Sequence, residues 1–131
     1  MLEYFRWITL TVALAVVAAC SQPVMDAAGP GTTRKTTVGD VFVDSKGMTL
    51  YTYDSDEPGK SKCSGACAVA WPPVEAANDA QPVGKFTIIT RSDGSKQWAF
   101  DEMPLYGFIK DSKPGDITGD GDGGVWHVAK P

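Results

Sequence analysis

Two cysteines, one histidine and a cluster of aspartates are the side chains of this 131-residue chain best suited to do chemistry. Cys63 and Cys67 bracket Ser64-Gly65-Ala66, and the single histidine, His127, lies far along the chain. Soft thiolates bind Cu(I), imidazole can complete such a site, and Met48 and Met103 offer thioethers. The set Cys63, Cys67 and His127 therefore defines a candidate copper or redox centre. A structural disulfide is the simpler reading. A loop of small residues can bring two Cα atoms into the bridging range of about 4.4–6.8 Å. Closing so short a loop contributes about 2 kcal/mol on chain-entropy grounds. Neither Cys-x-x-Cys-His nor a thioredoxin-like Cys-x-x-Cys is present. Asp116, Asp120 and Asp122 sit among glycines and could gather around Ca²⁺, but the twelve-residue loop ending in a bidentate Glu is missing. The pair Asp54/Asp56 could do acid–base work, although exposed turn acids explain it more simply. Without a Gly-x-Ser-x-Gly elbow or a triad context, no nucleophilic machinery is assembled. These residues argue against an enzyme and against a resident cofactor, with copper as the alternative and calcium behind it.

The elements that must position these residues begin after an export segment. Residues 7–19 form an uncharged, mostly apolar run that ends in Val17-Ala18-Ala19-Cys20. A membrane-spanning helix needs about 20 apolar residues, and this run is shorter. Its length and small terminal residues suit a cleaved export signal. The Cys at its end resembles a bacterial lipobox, which makes residues 1–19 a lipoprotein signal peptide and Cys20 the lipidated residue. Acyl chains contribute about 0.8 kcal/mol per buried methylene, so several chains anchor a protein firmly. Ser21 rather than Asp follows Cys20, which favours the outer membrane facing the periplasm in a diderm cell. In a monoderm cell the site is the outer face of the cytoplasmic membrane. Residues 20–37 are rich in Pro, Gly, Ala and Thr and read as a flexible tether. With Cys20 acylated, the remaining cysteines form an even pair in an oxidising compartment. The net charge of −4 and the scattered Lys and Arg argue against nucleic acid as a partner.

Residues 38–131 then form a single small domain with an internal repeat. Adding 55 to Met48, Leu50, Tyr51, Tyr53, Asp56 and Trp71 gives Met103, Leu105, Tyr106, Phe108, Asp111 and Trp126. One supersecondary unit is used twice, over about 38–75 and 93–130. Strand patterns run through 41–43, 48–53, 86–90, 96–100, 105–109 and 125–128, with Asp93-Gly94 marking the clearest hairpin. Residues 67–71 suit one helical turn stopped by Pro72-Pro73. Long helical periods are missing. The expected fold is mainly β, a small antiparallel domain or sandwich of two divergent repeats with little helix.

Tyr51-x-Tyr53-x-x-Asp56 and Tyr106-x-Phe108-x-x-Asp111 resemble the signature of a family of bacterial lipoproteins with a Yx(F/W/Y)xxD motif, also described as a secreted repeat of unknown function. Further matching pieces are Cys63-Ser64-Gly65-Ala66-Cys67, Trp71-Pro72-Pro73, Lys113-Pro114-Gly115-Asp116 and Gly124-Val125-Trp126-His127-Val128. The resemblance implies an exported, lipid-anchored tandem module and no established reaction. Because the motif occurs twice, a folding role for Tyr51, Tyr53, Asp56, Trp71, Tyr106, Phe108, Asp111 and Trp126 outweighs two active sites. A stacking surface for a sugar or aromatic ligand is the competing use. The expected function is a non-catalytic binding or envelope-structural module, joined to the membrane by its lipid. Its protein or small-ligand partner is not legible in the sequence.

Overall fold

Short β runs separated by Gly-, Pro- and Asp-rich turns fold into three small antiparallel sheets in the computed structural model, which describes residues 29–131. The expected signal peptide and Cys20 lie outside the described residues. The chain order is β1 (Gly31–Thr36), β2 (Gly39–Asp44), β3 (Tyr51–Tyr53), α1 (Ala66–Ala70), β4 (Phe86–Thr90), β5 (Lys96–Phe100), β6 (Met103–Pro104), a 3-10 turn (Asp122–Gly124) and β7 (Trp126–Val128). The sheets are β1–β2, β3–β7 and β4–β5–β6. The mainly β, two-repeat expectation holds, and among the described residues helix is confined to single turns. The expected helical turn at 67–71 is α1.

The tether expectation needs correction at its end. Gly31–Thr36 is β1, and it pairs antiparallel with β2 from Gly31↔Asp44 to Thr36↔Gly39. Its Thr-, Arg- and Lys-rich side chains are mostly exposed, so the strand has no hydrophobic period to betray it. Backbone pairing with the buried Val41-Phe42-Val43 run holds it instead. The β4–β5 hairpin forms as its sequence predicts. Asp93 Oδ1 accepts the Ser95 amide at 2.9 Å, and Gly94 supplies the positive φ the turn needs.

A strand was expected at 105–109, but only Met103–Pro104 joins a ladder there. Tyr106 makes isolated bridges to Tyr51 and Pro73. The repeat register explains the difference. β3 pairs with His127 and Val128, whereas the equivalent stretch in the second repeat faces Pro72 and Pro73. Prolines carry no N–H, so that ladder cannot propagate.

Each repeat lends its C-terminal segment to the other. Ala129 N–H donates to Leu50 O at 2.8 Å, and Val74 N–H donates to Leu105 O at 3.0 Å. Asp54 N–H donates to Val125 O, and Ile109 N–H donates to Ala70 O. Adding 55 to the first-repeat partner and subtracting 55 from the second-repeat partner turns one bond of each pair into the other. The contact is thus reciprocal, in the manner of a two-fold interface, within one chain.

Two core clusters lie on opposite faces of the central segments. Leu50 joins Phe42, Leu105 and Ala129, with Val74, Phe86, Trp98 and Phe100 around them. Tyr51 joins Val41, Val43, Cys63, Trp71, Tyr106, Trp126 and Val128. The alternation along 48–53 therefore buries side chains on both faces, because each central segment is covered twice.

Candidate functional site

The eight motif residues converge in the second of these clusters. Tyr51 and Tyr106 are fully buried and exchange both backbone bonds: Tyr51 N–H to Tyr106 O at 2.7 Å, and Tyr106 N–H to Tyr51 O at 3.0 Å. This central bridge points each phenol into the opposite repeat. Tyr51 donates its hydroxyl to Asp111 Oδ2 at 2.6 Å, and Tyr106 donates to Asp56 Oδ2 at 2.6 Å. Each Asp is fixed by its own turn, since Asp56 N–H donates to Tyr53 O and Asp111 N–H donates to Phe108 O. The second oxygen of each carboxylate takes a further donor: Lys62 N–H at 2.7 Å on Asp56, and Thr118 N–H at 3.0 Å on Asp111. The Thr118 hydroxyl also donates to Asp111.

Asp56 was expected as an exposed turn acid and is instead buried, as is Asp111. The repeated motif gave this Asp a folding role as an expectation. It did not reveal that the hydroxyl comes from the other repeat. Burial pushes the Asp56 carboxyl above its ordinary range, opposed by the Tyr106 hydroxyl and the Lys62 amide. Burial first, and the carboxylate bond second, hold both phenols well above their usual value.

The remaining motif rings form a column. Tyr53 stacks on Trp126 at 4.3 Å, Trp126 on Trp71 at 3.9 Å, and Trp71 on Phe108 at 4.0 Å, with interplanar angles of 14°, 4° and 19°. Tyr51 meets Trp71 edge-on at 5.3 Å, and Tyr106 meets Trp126 edge-on at 5.1 Å. Gly119 closes one side, where an added Cβ would lie 2.6 Å from Trp71. The two Trp residues are almost wholly buried, so their indoles present no open stacking face, and the end rings Tyr53 and Phe108 are partly exposed.

The residues that do not recur are separated. Cys63 and Cys67 form a disulfide with a Cα–Cα distance of 5.2 Å. His127 is exposed on β7, and its Nε2 lies 2.8 Å from Asp54 Oδ2. Among the described residues, no group of three or more His, Cys, Asp or Glu side chains is placed to hold a metal ion. Copper binding by Cys63, Cys67 and His127 therefore gains no support from this geometry. The acidic loop is likewise divided. Asp116 caps the Ser112 and Lys113 amides and pairs with Lys113 Nζ at 2.7 Å, which holds its carboxyl far below the usual range. Asp120 Oδ1 accepts Val128 N–H at 3.0 Å.

Sequence reasoning missed a polar chain attached to one clasp. Ser61 Oγ lies 2.6 Å from Tyr106 Oη, and Arg91 donates to Ser61, to Gln97 Oε1 and to Cys63 O. Gln97 Nε2 donates to Leu105 O at 2.8 Å. Gln97 shares a strand face with Ala99, and both are completely buried. A glutamine on the small-residue face of β5 was the available signal.

Fold and site together define a small β protein in which two repeats of one unit are locked by exchanged Tyr–Asp pairs. The chain belongs to a family of secreted repeats of unknown function, which matches residues 32–75 and 87–130, more than half of its length. The two matched stretches begin earlier than the expected repeat units and take in all but the first residue of β1 and of β4. No curated protein and no solved structure matches the chain.

Proposed function

We propose that this protein is an exported, lipid-anchored, non-catalytic module whose signature residues build a rigid domain for an envelope-structural or binding role. The reciprocal Tyr51–Asp111 and Tyr106–Asp56 pairs carry this reading. They commit Tyr51, Asp111, Tyr106 and Asp56 to one another inside the core, which leaves none of these four groups as a free nucleophile, base or ligand. The disulfide supports the exported setting, because such bonds persist outside the reducing cytosol. The lipid on Cys20 joins the domain to the membrane, and the chain between it and β1 sets the stand-off distance.

Mass spectrometry of the mature protein tests the anchor. The expected species begins at Cys20 and carries acyl chains, and Cys20→Ala releases the protein from the membrane fraction. A mature protein that keeps residues before Cys20 would overturn it. Thiol titration of the native protein tests the structural disulfide, with no reactive thiol expected from Cys63 or Cys67.

A further inference from the structure

Beyond this structural role, we propose that the aromatic column relays one-electron oxidising equivalents and deposits them on Tyr51 and Tyr106. Four rings overlap face to face at centroid separations of 3.9–4.3 Å, a spacing at which π systems couple directly. The two central members are indoles, which are easily oxidised. Tyr53 at one end is partly exposed, so the column reaches solvent.

What sets this column apart from ordinary core packing is the pair of phenols against its indoles. A phenol gives up an electron readily only if its proton leaves at the same time. Tyr106 touches Trp126 and has a carboxylate oxygen 2.6 Å from its hydroxyl; Tyr51 touches Trp71 with the same provision. The ionised carboxylate is an acceptor only, so each phenol proton has an acceptor oxygen within hydrogen-bond reach.

The step balances. A one-electron oxidant of the oxygen- or nitrogen-centred radical class takes an electron and a proton from an indole, leaving a neutral indolyl radical. That radical then takes one electron from the touching phenol and a proton from water. The phenol passes its own proton to the Asp carboxylate, leaving a neutral phenoxyl radical beside a carboxylic acid. A one-electron donor such as a hydroquinone reverses the last change. Both phenols are completely buried, which shields the radical, and the nearby sulfurs are already joined as a disulfide and offer no thiol to quench it.

Pulse radiolysis with the azidyl radical tests the relay on protein that begins at Cys20, and so lacks Trp7, in a Trp98→Phe background, which leaves Trp71 and Trp126 as its indoles. The indolyl absorption should give way to phenoxyl absorption at a rate independent of protein concentration. In Tyr51→Phe/Tyr106→Phe that conversion should slow by about tenfold or more, whereas Tyr53→Phe should retain it. Conversion unchanged in the double variant, or lost in Tyr53→Phe, overturns the proposal, because the radical then rests on Tyr53. Where the double variant fails to fold, freeze-quenched electron paramagnetic resonance of the Trp98→Phe protein decides. A phenoxyl signal insensitive to a water-soluble paramagnetic relaxant supports the buried sites, and a sensitive one overturns them.

Discussion

Replacing Tyr51 by Phe removes one oxygen from the core and leaves the ring contacts with Trp71 and Phe108 in place. The lost groups are the 2.6 Å bond to Asp111 Oδ2 and a long 3.3 Å bond accepted from Gly119 N–H. A hydrogen bond to a charged group contributes about 1.5–3 kcal/mol, and orphaning a buried partner adds to its loss. Asp111 keeps its Thr118 donors, which limits the penalty. The expected destabilisation is about 2–3 kcal/mol. In a domain of this size each kcal/mol moves Tm by roughly 4–8 °C, so Tm should fall by roughly 10–20 °C. Urea unfolding followed by Trp fluorescence measures the change, with the m value serving to check that the transition keeps its two-state character. Tyr106→Phe should cost at least as much, because it leaves Asp56 with the Lys62 amide and strips a partner from Ser61. Tyr53→Phe is the internal control. Its hydroxyl has no hydrogen-bond partner among the described residues, and its loss should stay within about 0.5 kcal/mol. A Tyr51→Phe change no larger than that of the control would refute the clasp as the element joining the repeats.

Base should unfold the protein through the same two phenols. A group whose folded pKa is raised contributes stability that is whole below its unfolded value, here about 10, and that is lost as pH climbs past it. Each buried Tyr should remove about 1.4 kcal/mol per pH unit above that point, so the phenolate absorption of Tyr51 and Tyr106 should appear together with loss of near-UV circular dichroism. Gly119→Ala should destabilise by about 1–3 kcal/mol and perturb Trp fluorescence, since the new methyl meets Trp71 at 2.6 Å and Phe108 at 2.9 Å. Thr49→Val should raise stability by about 1 kcal/mol in urea unfolding, because the buried Thr49 hydroxyl has no partner. The turn between β5 and β6 holds Asp101 and Glu102 at φ of 49° and 68°, so Glu102→Gly should add roughly 1 kcal/mol by relieving a left-handed side chain, read as a higher Tm.

Much of this architecture was legible in the chain. Adding 55 to a residue number identified the residues that meet in the core, and the Asp93-Gly94 turn located a hairpin to the residue. Cys63-x-x-x-Cys67 announced a closable loop. These are local signals, set by φ preferences, side-chain period and loop length. β1 was not legible, because an edge strand held by its backbone needs no apolar side chains. The truncated strand near Tyr106 was hidden for a related reason. Its length depends on Pro72 and Pro73, more than thirty residues earlier in the chain.

By itself the sequence determined that one unit is used twice, that the fold is β, and which Tyr, Trp and Asp recur. The tertiary structure alone decided how those residues pair. A motif read within one repeat places Tyr51 beside Asp56, five residues away. The fold instead gives Tyr51 to Asp111 and Tyr106 to Asp56. The physical reason is the backbone bridge between Tyr51 and Tyr106, which sets the two strands antiparallel and sends each phenol across the interface. Spacing along a chain fixes which side chains share a face, but partners across an interface are chosen only when the two halves close on each other.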